Sequence, residues 1–181
     1  MTDYSTSSTS SVFKTVANLG LPYEEIEIDP SLADTALFCE RYGFPMEQSG
    51  NTIIVASKKE PKAFVACVVL ATTRLDVNNR VRKLMGVSKA SFASAEEMKV
   101  ITGMDVGGVT PFSLPEELQI YVDSRIMELD RVILGGGGRD RKLKISPEVF
   151  HQFGAEIKEN LALPIQSLGI PCKSHELKAS L

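Results

Sequence analysis

Two runs rich in β-branched and apolar residues, NTIIVAS at 51–57 and KAFVACVVLA at 62–71, are joined by the polar segment KKEPK, and this pairing constrains the chain more than any other feature. Branched side chains pack well on a pleated surface, and a short polar link turns the chain directly back. The runs are expected to form an antiparallel pair. The nine apolar residues from Ala63 to Ala71 fall far short of the roughly 20 that a bilayer-spanning helix requires. They read as a buried strand, and no membrane association is expected.

Weaker signals on either side complete the pattern. SVFKTVANLG at 11–20 places Val12, Val16 and Leu19 on one helical face with Gly20 at its end, and YEEIEID at 23–29 alternates like an edge strand. The segment from Asp29 to Gly43 predicts a helix capped by Ser31, and SAEEMKVITG at 94–103 one opened by a capping box of Ser94 and Glu97. A helix is expected over 77–86, strands over 89–93, 117–123 and 130–136, and a last helix from Ser146-Pro147-Glu148. Strands outnumber helices and neighbours look antiparallel, so the expected class is α+β: a curled, barrel-like mixed β-sheet flanked by helices, in one domain over 12–160. Eight of the first eleven residues are Ser or Thr, which predicts a disordered polar tail over 1–11. The pattern also weakens near the other end, predicting a loosely packed tail over 161–181.

Composition removes several function classes. A net charge of -3 does not suit a general nucleic-acid binder, which is usually basic. Three basic runs, at Lys58, Lys59 and Lys62, at Arg80, Arg82 and Lys83, and at Arg139, Arg141, Lys142 and Lys144, read as solvated faces unless they converge into a polyanion patch. Cys39, Cys67 and Cys172 form no close pair, and His151 and His175 are too few for a histidine-based metal site. Cys39 and Cys67 read as small core residues. Reduced thiols, a cytoplasmic setting, no metal and no cofactor are expected.

Two glycine-rich loops demand a reason. VGGVTPFSLP at 106–115 sets Gly107 and Gly108 before Pro111, and LGGGGRDRK at 134–142 places four glycines beside Arg139. The second loop lacks both GxxxxGK[ST] and GxGxxG spacing, which disfavours ATP and NAD. Its glycines either form a hairpin tip or expose backbone amides to an anion. No Ser lies in GxSxG, and no Ser/His/Asp order or carboxylate pair stands out. What remains is catalysis by backbone donors: Gly107 and Gly108 presenting N–H groups to a developing oxyanion, with Pro111 fixing the loop.

These elements in this order, NTIIVAS, VVLATTRLDVN, TGMDVGGVTPFSLP, the strand with YVD and VILGGGGRDRKLKISPE, resemble the YbaK-like family, the aminoacyl-tRNA deacylase domain associated with bacterial prolyl-tRNA synthetases. The resemblance covers roughly residues 22 to 153. It implies a hydrolase that acts in trans on mischarged tRNA, gripping the acceptor end, with an aminoacyl-tRNA synthetase as a possible partner. Asn51, Gly107, Gly108 and Pro111 take the catalytic positions, and Thr52, Val109, Thr110, Gly135, Gly136, Gly137 and Arg139 the substrate-binding ones. In relatives the first hairpin strand begins Lys-Thr, and that lysine is the usual functional side chain. Here the strand begins Asn51-Thr52, which leaves a second reading open: a non-catalytic module of the same fold that holds a tRNA acceptor end, a nucleotide or a small metabolite.

Overall fold

The computed structural model describes residues 4–165. The chain runs through helix α1 (Tyr4–Asn18), strand β1 (Tyr23–Glu27), helix α2 (Thr35–Tyr42), the hairpin β2 (Gly50–Ser57) and β3 (Phe64–Leu70), and strand β4 (Thr73–Leu75). A π-helical turn over Val77–Val81 leads into one turn of helix, α3 (Arg82–Leu84), followed by β5 (Ala90–Phe92), α4 (Ala95–Thr102), β6 (Gln119–Asp123) and β7 (Val132–Gly135). Strand β8 (Arg141–Ile145), helix α5 (Val149–Gln152), and strands β9 (Glu156–Lys158) and β10 (Ala162–Pro164) follow.

The strands make a mixed five-stranded sheet in the order β5-β2-β3-β6-β9, an antiparallel three-stranded sheet β1-β8-β7, and the pair β10-β4. The β2–β3 pairing is antiparallel as the sequence predicts, whereas β6 joins β3, and β9 joins β6, in parallel. The α+β class with flanking helices holds, but the sheets stay open instead of closing like a barrel. Among the described residues, a parallel bridge of Ser49 with Ile133 links the two larger sheets.

Alternation along β2 and β3 gives each sheet face its own apolar layer. Val55, Val65, Cys67 and Val69 face Val77, Val81 and Leu161, while Ile54 and Ala66 face Leu118 and Met98 of α4. The three-stranded sheet is covered by α1 through Val12 and Val16 on one side, and by Phe38 and Cys39 of α2 against Ile133 on the other.

Four local expectations are corrected. Helix α1 begins at Tyr4, within the stretch expected to be disordered. Its small residues let it approach the glycine loop: a Cβ on Gly137 would lie 3.1 Å from the Ser8 carbonyl oxygen. The cap of α2 is Asp34, whose Oδ1 accepts from the Ala36 and Leu37 amides at 2.9 and 3.3 Å, while Ser31 sits in a separate 3-10 turn. Residues 161–165 are loosely packed only in part: Leu161 and Ala162 are buried and β10 pairs with β4, while Leu163, Pro164 and Ile165 are exposed. Residues 166–181, with Cys172 and His175, lie outside the described residues. The third basic run is not a uniformly solvated face: Lys142 is buried, while Arg141 pairs with Glu25 and Asp140.

Candidate active site

The two glycine-rich loops pack backbone against backbone. The Gly137 amide donates to the Gly108 carbonyl at 2.9 Å. A Cβ on Gly108 would stand 2.7 Å from the Gly138 carbonyl carbon and oxygen, and one on Gly135 would collide with the Val109 and Gly108 carbonyls. The glycines thus answer to close approach between two loops. Gly107 has a different requirement, its φ of +93°, a conformation L side chains rarely adopt.

Joined in this way, the loops form one wall of a cleft of about 470 Å³. The facing wall is the free half of β2, with Asn51, Thr52 and Ile53, and the turn entering α2, with Ala33, Asp34 and Thr35; Met46 and Met98 add apolar surface. Of the residues singled out in the sequence, Asn51, Thr52, Gly107, Val109, Gly135 and Arg139 come together here. Thr110 and Pro111 are buried behind the loop, and Gly136 and Gly137 serve its packing. The expectation for Gly108 is corrected, since its amide donates to the Asp105 carbonyl at 2.9 Å within a turn and is not available to an oxyanion.

Asn51 is oriented by its surroundings. The Thr35 hydroxyl, in the first turn of α2, donates to Asn51 Oδ1 at 2.7 Å. An amide side chain carries both acceptor and donors, and with the acceptor engaged, Nδ2 is its remaining polar group, without a partner among the described residues. The Gly107 N–H is likewise without one among the described residues. Two residues lining the cleft thus carry neutral donors that no described residue engages.

Beneath them lies a cation that sequence reasoning missed. Lys142 Nζ donates to the Ala33 carbonyl at 2.8 Å and reaches the Gly107 carbonyl at 3.4 Å, so one ammonium ties both walls together. It sits 5.5 Å from the centroid of the Phe38 ring, a cation–π arrangement. Burial pulls its pKa below the ordinary lysine value, against the opposing charge of Asp34. Period-two alternation in RKLKIS puts Lys142 on the face opposite Arg141, Leu143 and Ile145 once β8 is read as a strand, but no local signal marks that face as covered. Arg139 is exposed at the rim, donating to the Val106 and Pro30 carbonyls at 2.6 and 3.0 Å. Since both acceptors are neutral, its charge remains uncompensated by these bonds.

The edge of β2 completes the site. Ser49 accepts from the Ala71 amide and the Ser57 amide donates to Ala63, so odd-numbered residues of this segment bond to β3. Even-numbered residues face away: Ile54 accepts from Ala93, and Ala56 pairs with Ser91 of β5. Between Ile54 and the bridge at Ser49, Thr52 turns its main-chain N–H and C=O outward with no partner among the described residues. Its hydroxyl is buried and also unpartnered among them.

The model of the aminoacyl-tRNA editing domain matches residues 29–153, and the chain belongs to that family. The uncharacterized protein YwhH of Bacillus subtilis (strain 168) is 26% identical over 117 residues, 60% of this chain and 73% of that protein. Among solved structures, the hypothetical protein APE2540 superimposes with a TM-score of 0.76 at 25% identity, covering 84% of this chain and 99% of that one. A protein described as "a putative trans-editing enzyme for prolyl tRNA synthetase" superimposes with a TM-score of 0.72 at 21% identity, over 84% and 95% of the two chains.

Proposed function

We propose that the protein is a trans-acting aminoacyl-tRNA deacylase, which hydrolyses the ester of a mischarged tRNA and so serves translation fidelity in the cytoplasm. The observation that carries this reading is the meeting of Asn51, fixed by Thr35, with the Gly107 loop across a cleft in a chain of the editing-domain family.

The ester is already activated, so positioning and charge stabilisation suffice. Water adds to the ester carbonyl carbon, the bond from that carbon to the ribose oxygen breaks, and the ribose oxygen takes the proton, leaving free amino acid and intact tRNA. Asn51 Nδ2 and the Gly107 amide are the donors for the carbonyl oxygen as it gains charge. Lys142 holds the Gly107 loop against the α2 turn and adds positive potential from beneath. Arg139 meets the acceptor-end phosphates at the rim. No helix among the described residues is long and apolar enough to cross a membrane.

Removing one oxyanion donor costs roughly a hundredfold or more in rate, so Asn51→Ala is expected to lower deacylation kcat/KM by about that factor. Thr35→Val, which leaves the amide present but unheld, should cost less. The uncharged Asn51 in place of lysine favours a second reading, a binding module that holds the acceptor end without turnover. Hydrolysis by the unaltered protein would exclude it.

A further inference from the structure

Thr52 offers a donor and an acceptor on the same side of one extended residue, in a gap between the Ser49 bridge and the Ala93–Ile54 hydrogen bond. In an antiparallel ladder such a residue exchanges both bonds with one facing residue. The missing partner therefore has a defined chemistry. It must present a carbonyl oxygen to the Thr52 N–H and, two bonds further along, a nitrogen donor to the Thr52 C=O. An extended α-aminoacyl group presents that pair: its ester carbonyl and its α-ammonium.

We infer that the gap in the β2 edge is a main-chain docking site for the α-aminoacyl group, in which the substrate occupies the place of one strand residue opposite Thr52. This rests on the deacylase reading for its substrate and goes beyond it in naming what is recognised, the free α-amino group together with the ester carbonyl. That carbonyl's oxygen accepts from the Thr52 N–H in the bound ester and gains Asn51 Nδ2 and the Gly107 amide as further donors when it takes on charge. The recognition is independent of side-chain identity at position 52, as strand addition generally is. Cross-strand partners point their side chains to the same face, so an L-aminoacyl group directs its side chain to the face of Thr52, on the side of Val109 and Met98. A D-aminoacyl group docked by the same two bonds would direct it to the face of Asn51.

The test uses 3′-aminoacylamino-3′-deoxyadenosine, a non-hydrolysable amide, and its desamino counterpart, titrated into the 15N-labelled full chain. The amino compound is expected to move the Thr52 amide resonance and to bind roughly tenfold more tightly than the desamino one, the worth of a charge-assisted hydrogen bond. In parallel, Thr52→Pro, which deletes the N–H at an edge position that tolerates proline, should lose roughly tenfold. Equal binding of the two compounds, an unmoved Thr52 amide, or no binding at millimolar concentration would each overturn the inference. If Thr52→Pro fails to fold, the paired titrations on the unaltered protein still decide. Selective binding without turnover of any mischarged tRNA would uphold the docking site and overturn the deacylase reading.

Discussion

At the scale of single residues, the site depends on side chains whose partners are already assigned. Asn51 spends its oxygen on Thr35 and keeps its nitrogen for the cleft, which makes direction, more than charge, its contribution. Lys142 does the reverse, since its charge is buried and its donors go to the carbonyls of Ala33 and Gly107. Lys142→Met would leave those carbonyls without their donor, and unfolding in urea should show a loss of about 1–3 kcal/mol. The pH dependence has a definite sign. Folding lowers the lysine pKa from 10.5, so the unfolded chain binds the proton more firmly. The stability of the unaltered protein relative to Lys142→Met should therefore rise with pH up to about 10.5 and level off beyond it. A flat difference across that range would show that the ammonium is not desolvated. Position 51 was legible because it opens a β-branched run. Lys142 was not, because a lysine among three other basic residues looks solvated until α2 is seen to cover that face of β8.

At the scale of elements, the two glycine loops act as one unit. Their glycines are dictated by the distance between backbones, and this distance is a tertiary fact that no local pattern records. The sequence therefore marked both loops as shaped while leaving the purpose of Gly108 wrong: it packs on Gly138 and turns onto Asp105 instead of facing a ligand. Gly135→Ala would drive a methyl into the Val109 and Gly108 carbonyls, and backbone cannot yield as a side chain does. An expected loss of about 1–3 kcal/mol is measurable by thermal unfolding, and unchanged stability would contradict the close packing of the loops. The capping box of α4 was readable because Ser94 and Glu97 act locally; Ser94 accepts from the Glu97 amide and Glu97 accepts from the Ser94 amide. For α2, Ser31 was expected as the cap, but it lies inside the 3-10 turn Pro30–Leu32, and the helix starts later, capped by Asp34.

At the scale of the molecule, the mixed sheet holds the cleft's β2 wall in place, and a buried carboxylate ties that sheet to the end of the described chain. Asp123, in β6, accepts from Arg125 through both oxygens at 2.7 Å and from the Ala162 amide at 3.0 Å. Burial raises the pKa of Asp123, but the Arg125 guanidinium and the amide bonds outweigh it and hold the carboxyl below 3.8. This contribution is complete above the unfolded value and is lost as pH falls through the folded one. Asp123→Asn should cost about 1–3 kcal/mol at neutral pH, because Arg125, although partly exposed and still bonded to the Ala162 carbonyl, loses its charged partner. It should also flatten the acid limb of the stability curve, which urea unfolding at several pH values would reveal. The parallel additions of β6 and β9 were beyond the sequence, because a connection's length does not state which strand it returns to; the β2–β3 hairpin, with its short link, left no such choice. Catalysis is tested most directly by incubating the purified protein with a broad panel of mischarged tRNAs. A deacylase releases amino acid from at least one of them above the spontaneous rate, with that release falling roughly a hundredfold in Asn51→Ala. Survival of every aminoacyl ester at the spontaneous rate would contradict the deacylase reading.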